Sequence, residues 1–545
     1  MERCFVSMRD GVRLATWHVW PIDSDHTPGT IVIRTPYGVG GPNSLIGLTA
    51  RLLAESGHHV IVQDVRGRYA SEGRFVPFMS EKSDGGDTLR WVAEQTWSNG
   101  PVGLFGGSYL AYTAWCALAE APEHVGALVS VIGAADLYRV FHGGGALALQ
   151  NALEWGVGVG ENESVPARRI DIPRGLAHRP VREADRVALR TVDWVRDWVD
   201  HPRHDAYWKE VAAELPQHVP PVLSIAGLYD FFLDDQLRGH AAVARAVTER
   251  GGEPPRLVIG PWAHGVPAQL GWWREGIGGH VLRESIAHFD EHLLGERAPA
   301  ARSAVRYFLP GPDAWRTAGQ WPPEEAAPRR LFLGARDGRG TIAFDEPEAA
   351  APTLRFRHDP EDPTPSIGGA LFGWKAGVKD QRPLELRSDV VTYESPVLDR
   401  DVTLTGPVRA SIHLETNAED VDVAARLIDV LPNGRAENVC DGIQRARWRD
   451  VAHHDATPLF LAPGETTCIE VDLGHAARSF RAGHRIRLVV SGSSFPRFDR
   501  NPGCQAPPAT AAPDAFRKTE QVLHHDAGHR SWIDVRVLDS GRAGG

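Results

Sequence analysis

Four short apolar, β-branched runs constrain this chain more than any other feature: TIVIRTPY (30–37), HVIVQDVRG (59–67), VGLFGGS (102–108) and ALVSVIGAAD (127–136). They are continuous rather than alternating, so each reads as a strand buried on both faces, inside a parallel sheet. SLIGLTARLLAES (44–56) and DTLRWVAEQTW (87–97) lie between them with apolar residues at helical spacing. Strand and helix in alternation predict a βαβ sheet. Ahead of it, MERCFVSMRDGVRLATWHVWP alternates around Asp10-Gly11, which predicts a hairpin.

The alternation then breaks. FHGGGALALQNALEWGVGVG (141–160) and TVDWVRDWVDHPRHDAYWKEVAAEL (191–215) look helical, so residues 141–219 read as an inserted helical cap. The α/β rhythm resumes with PVLSIAGLYD (221–230), RLVIGPWAH (256–264) and the helix LRESIAHFDEHLLG (282–295). Pro/Glu/Ala-rich sequence around 319–328 marks a boundary, beyond which short strands such as TLTGPVRASIHLET (403–416), VAARLIDVLPNGRAENV (423–439) and HRIRLVVSGSSF (484–495) predict an all-β sandwich or jelly roll. The expected organisation is an α/β domain in two parts, 1–140 and 220–318, interrupted by the cap at 141–219 and followed by a β domain at 319–545. Pro432-Asn433-Gly434 reads as a hairpin turn and QAPPATAAP (505–513) as a flexible loop.

Charge narrows the function. Seventy acidic residues against 59 Lys plus Arg give a net charge of −11 with no basic block, which argues against nucleic acid as the main partner and for a small molecule. The opening residues have no signal-peptide pattern, and no apolar run is long enough to span a membrane. Cysteines at 4, 116, 440, 468 and 504 form neither a disulfide framework nor a metal-ligand spacing, so a reducing cytoplasm without a metal or other cofactor is expected. HHD occurs at 453–455 and again at 524–526; adjacent histidines on an extended chain face opposite ways, so both read as solvated loops.

GLFGGSYLAY (103–112) nearly spells the G-x-S-x-G nucleophile elbow, with Leu110 where the last glycine belongs. A serine needs a base to take its proton and donors to hold the oxyanion. The plainer reading, a serine capping a helix, fits this stretch equally well. Partners decide between them: Asp230 follows the strand PVLSIAG and His264 follows RLVIG, in the Ser, acid, His order of an α/β-hydrolase. Ser108 is then the expected nucleophile, His264 its base and Asp230 the group that orients the imidazole. The backbone N–H of Tyr109 and the hydroxyl of Tyr37 in RTPYG are the candidate oxyanion donors. Asp64, Arg66, Arg68, Ser71 and Glu72 in QDVRGRYASEGRF read as a structural ion network beside the site.

These residues sit in motifs that resemble the CocE/NonD serine hydrolases, a cocaine esterase-like family related to X-Pro dipeptidyl aminopeptidases and α-amino-acid ester hydrolases. The motifs are MRDGVRLA, RTPYG, QDVRGRYASEGRF, GLFGGSYLAY, GLYDFF, GPWAHG, FDEHLLG, CDGIQRARWRD and GSSFPRFDRN, and the likeness covers nearly the whole length. It implies an α/β-hydrolase domain with a helical cap, then a jelly-roll (galactose-binding-like) domain, often in a homodimer. It also implies Ser108, Asp230 and His264 as the triad and Tyr37 in the oxyanion hole, the same residues that spacing selects. Ala111 stands where relatives carry a glycine, a small-for-small change.

In α-amino-acid ester hydrolases, carboxylates at the second and third positions after the catalytic aspartate help grip the substrate ammonium; here those positions hold Phe232 and Leu233. An apolar or aromatic acyl ester is therefore the expected substrate. Trp155, Phe231, Phe232, Leu371 and Phe372 are the candidate pocket walls, although Asp234 and Asp235 lie close by in sequence. Amide or peptide hydrolysis, or acyl transfer, on the same triad is the alternative. A non-catalytic carbohydrate-binding role has weaker support, because every triad position is filled.

Overall fold

The computed structural model describes residues 1–21, 29–39, 44–159, 169–269, 276–296, 303–346, 351–449 and 457–538. The apolar runs become the middle of a sheet that has ten strands among the described residues. These are β1 (Glu2–Ser7), β2 (Arg13–Val19), β3 (Thr30–Thr35), β4 (His59–Asp64), β5 (Val102–Gly107), β6 (Val125–Val131), β7 (Val222–Gly227), β8 (Arg256–Gly260), β9 (Val305–Leu309) and β10 (Ala314–Ala318). Their spatial order is β1-β2-β4-β3-β5-β6-β7-β8-β9-β10. From β4 to β9 neighbours run parallel, and antiparallel pairs close both edges. β3 and β4 are buried along their whole length, which is why their sequences do not alternate.

Helices α1 (Leu45–Glu55), α2 (Glu81–Ala93) and α3 (Tyr109–Glu120) join the first parallel strands. The sequence places α2 at 87–97, but the helix begins six residues earlier, through Asp84-Gly85-Gly86. Those glycines are a packing surface: a Cβ on Gly85 would lie 2.9 Å from the Cβ of Ala117 in α3. Between β6 and β7 the chain forms a helical layer that includes α4 (Leu149–Val159) and α5 (Asp193–Asp200). After β7 come α6 (Leu233–Thr248) and, beyond β8, α7 (Ile277–Leu293). None of the described helices is long and apolar enough to cross a membrane.

From Ala326 onward the strands belong to a second sheet, with eleven strands among the described residues and only one parallel pairing, Arg339–Ala343 with Val390–Glu394. It encloses its own core, which includes Leu331, Leu404, Leu427, Ile469 and Ile533. Pro432-Asn433-Gly434 turns between antiparallel strands Asp422–Val430 and Ala436–Arg445, as expected. Residues 505–513 are irregular but not loose, a correction to the expected flexible loop. The Arg447 guanidinium donates to the carbonyls of Cys504 (2.7 Å) and Ala506 (3.0 Å), and the Arg182 N–H donates to that of Ala509 (3.0 Å).

Candidate active site

Strand order brings the site together. β4 connects to β5 across β3, so β3 and β5 are neighbours and the chain leaves their carboxyl ends in opposite lateral directions, the crevice where open α/β sheets bind ligands. Tyr37 follows β3, Ser108 follows β5, Asp230 follows β7 and His264 follows β8. All four lie at one edge.

Ser108 has φ 59° and ψ −124°, a strained backbone for a residue with a Cβ, and its side chain makes no capping hydrogen bond to α3. Instead Oγ lies 3.0 Å from His264 Nε2, while His264 Nδ1 lies 2.9 Å from Asp230 Oδ2. The ionised carboxylate only accepts, so Nδ1 carries the proton and Nε2 is left to accept from the serine hydroxyl. Asp230 is 4% exposed, and its second oxygen accepts from the Phe232 N–H at 2.8 Å, which fixes the carboxylate plane. Phe231 stacks on the His264 ring at 4.4 Å between centroids, and Phe372 meets it edge-on at 5.2 Å.

Tyr37 is 38% exposed, and its hydroxyl accepts from Trp155 Nε1–H at 2.9 Å and faces Ser108. Burial pushes this phenol up to about 12, with the hydrogen bonds to Trp155 and Ser108 pulling the other way. The charged loop after β4 holds the segment that carries Tyr37. Arg68 Nε–H donates to the carbonyl of Pro36 at 2.8 Å, and the Tyr69 ring packs so close to Gly38 (φ 80°) that a Cβ there would lie 2.8 Å from it. Asp64, raised to about 7 by desolvation, faces the backbone amides of Ala70 and Val39. Arg66 bridges Asp84 (2.7 Å) and Asp10 (2.6 Å), and Glu72 pairs with Arg13.

A cavity open at its mouth lies over Ser108 and is lined by Phe78, Tyr109, Tyr112, Phe141, Asn151, Trp155, Phe231, Phe232 and Phe372, among others. Leu371 is corrected: it is buried in the core beside Leu233, Ile259 and Ala263 and does not line this cavity. Backbone pairing of residue 372 with His264 aims Phe372 at the site and sends the preceding side chain the other way. Phe78, Phe141 and Asn151 are wall residues that sequence reasoning missed. Leu137, Val140 and Phe141 at helical spacing were the available signal; Phe78, at φ 77° in an irregular segment, gave none.

Asp234 and Asp235 line a charged cavity that shares Val140, Asn151 and Phe231 with the one over Ser108. Burial raises both, to about 6 and about 7, and the arginines around them oppose that rise. Of the two HHD stretches, 453–455 lies outside the described residues. At 524–526 the expected solvated loop is corrected: His524 and His525 end strand Thr519–His525 and face opposite ways along it, and His525 is buried against the Tyr393 hydroxyl at 2.8 Å.

A mixed α/β sheet carrying a hydrogen-bonded serine, histidine and carboxylate at its carboxyl edge defines a serine hydrolase. The profile of the X-Pro dipeptidyl-peptidase (S15 family) matches residues 10–266, and that of the X-Pro dipeptidyl-peptidase C-terminal non-catalytic domain matches 297–534. Cocaine esterase of Rhodococcus sp. (strain MB1 Bresler) is 34% identical over 98% of this chain and 97% of its own length. Among solved structures, an aminopeptidase from the marine sediment archaeon Thaumarchaeota archaeon superposes with a TM-score of 0.85 at 25% identity, covering 99% of this chain and 96% of its own. An α-amino acid ester hydrolase gives 0.84 at 24% identity, covering 98% and 96%. The chain belongs to the S15 family of serine hydrolases, in its CocE/NonD branch.

Proposed function

We propose that the protein hydrolyses carboxylic esters whose acyl group is largely apolar or aromatic, through a covalent acyl-enzyme on Ser108. The apolar lining of the cavity over Oγ carries this reading. An acyl chain gains roughly 25 cal/mol for each Å² it buries, whereas an ammonium there would meet Phe231 and Phe232 and lose its hydration unpaired.

In the proposed reaction His264 Nε2 takes the Ser108 proton as Oγ bonds to the acyl carbon. The carbonyl π pair moves onto oxygen, where the Tyr37 hydroxyl and the Tyr109 N–H donate to it. The oxyanion then collapses, the C–O bond to the alcohol breaks, and the leaving oxygen takes the proton from Nε2. Water repeats the sequence on the acyl-enzyme and frees the acid. Asn151 also stands in this wall, and its Oδ1, buried without a hydrogen-bond partner among the described residues, is free to accept from a donor group elsewhere on the substrate. The β strands beyond Ala326, which we read as a jelly roll, flank in sequence the segment that contributes Phe372 to this wall.

Ser108→Ala is expected to lower turnover of p-nitrophenyl acyl esters by about 10⁴-fold or more, and a fluorophosphonate is expected to label the wild type alone. Wild type that takes no label would overturn the reading. The family profile and the aminopeptidase among the structural neighbours favour a second reading, cleavage of X-Pro peptides or another amide on the same triad. Higher kcat/KM on X-Pro-anilides than on matched esters would favour it.

A further inference from the structure

One cluster of ligating side chains stands apart from the catalytic edge. Strands Thr519–His525 and Ser531–Leu538 follow one another in the same direction along one edge of the long strand Val402–Thr416, and a short loop, 526–530, joins them. At this loop, one ligand atom from each of His524, Asp526 and His529 lies within 4.8 Å of the others. Asp526 Oδ2 is 3.1 Å from His529 Nδ1 and 3.8 Å from His524 Nδ1. The turn holds the aspartate in place, because its Oδ1 accepts from the backbone N–H of Gly528 (2.8 Å) and of His529 (3.1 Å).

The surroundings resemble the outer shell of a metal centre. His524 Nε2, on the far side of its ring, is buried without a hydrogen bond among the described residues, and Glu415 Oε2 stands 3.5 Å from it. On the facing strand, the His413 ring stands 5.8 Å from that of His529, and its Nδ1 is buried without a hydrogen-bond partner among the described residues. The Ser531 hydroxyl accepts from the His413 N–H at 2.9 Å and donates to the His524 carbonyl at 3.1 Å, so strand and loop are tied at this point.

We propose that His524, Asp526 and His529, with His413 as fourth ligand, bind a zinc ion that fastens the 526–530 loop to the strand Val402–Thr416. Imidazole nitrogens with one carboxylate suit Zn²⁺, whose tetrahedral bonds of about 2.1 Å set ligand atoms about 3.4 Å apart. Four protein ligands make a closed, structural site.

The test uses full-length protein stripped with a chelator, then titrated with Zn²⁺ alone and Co²⁺ alone. The expected results are one tight equivalent of zinc, a cobalt spectrum of four-coordinate intensity, and a melting temperature that rises with zinc. His529→Ala and His413→Gln should each weaken binding about tenfold or more, remove that rise, and leave ester turnover at the wild-type level. His529→Gln serves as the second variant if the alanine variant misfolds. Absence of a stoichiometric site, a weak six-coordinate cobalt spectrum, or zinc binding unchanged in the folded variants would overturn the proposal.

Discussion

Trp155 sets what the Tyr37 hydroxyl can do. Its indole N–H occupies a lone pair of the phenol oxygen from 2.9 Å, which leaves the phenol's own hydrogen free to donate toward the oxyanion in front of Ser108. Trp155 is itself held face to face with Phe78, Tyr109 and Trp198, with centroids 5.6–5.7 Å apart, so the donor reaches the phenol from a rigid stack. Tyr37→Phe is expected to lower kcat by about 10²-fold, with KM and melting temperature close to wild type, because one transition-state donor is lost and little packing changes. A loss confined to KM would assign Tyr37 to substrate binding instead. At this scale the sequence was legible where chemistry imposes an order along the chain: Ser108, Asp230 and His264 stand at three strand ends, and Tyr37 at a fourth. It was not legible for Phe78 and Asn151, whose roles come from tertiary packing and leave no local period.

The elbow shows which small residues an element needs. A Cβ on Gly106 would lie 2.0 Å from the carbonyl oxygen of Leu110, whereas one on Gly107 would meet nothing closer than 3.8 Å. Gly106→Ala is therefore expected to lose both folding yield and activity, and Gly107→Ala to keep the wild-type melting temperature; equal damage from the two would refute this account of the turn. The small residue at Ala111 is explained by the facing strand end. A Cβ on Gly133 would lie 2.4 Å from the Cβ of Ala111, so the glycine required for close approach is supplied by the partner. Strands β3 to β8 were readable because burial on both faces writes a continuous apolar run. The start of α2 was not, because Gly85 and Gly86 look like a break until α3 is packed against them.

The whole molecule meets at Arg445, which gives the third-domain motifs CDGIQRARWRD and GSSFPRFDRN a physical task. Its buried guanidinium donates to both oxygens of Asp422 at 2.9 Å and to Asp499 at 3.0 and 3.2 Å, and its backbone N–H donates to the carbonyl of Gly144 at 2.8 Å. Asp499 in turn accepts from the Leu147 N–H at 2.9 Å, just ahead of α4, which carries Asn151 and Trp155. A second tie holds the base, since residue 372 pairs with His264 and the Val378 N–H donates to the Ala268 carbonyl at 2.8 Å. The β layers beyond Ala326 thus brace the cap-side wall and the histidine loop together. Arg445→Met keeps the volume but leaves two buried carboxylates without their cation, which costs ~3–5 kcal/mol. The exposed pair Arg330–Asp534, at 3.1 Å with both side chains about half accessible, is the control, and Arg330→Met is expected to cost less than ~1 kcal/mol. Thermal melts of the two variants check the difference, and ester kinetics check the brace: Arg445→Met should raise KM more than it lowers kcat, because the wall moves while Ser108 and His264 stay paired. A variant that melts early but keeps the wild-type KM would confine Arg445 to stability alone.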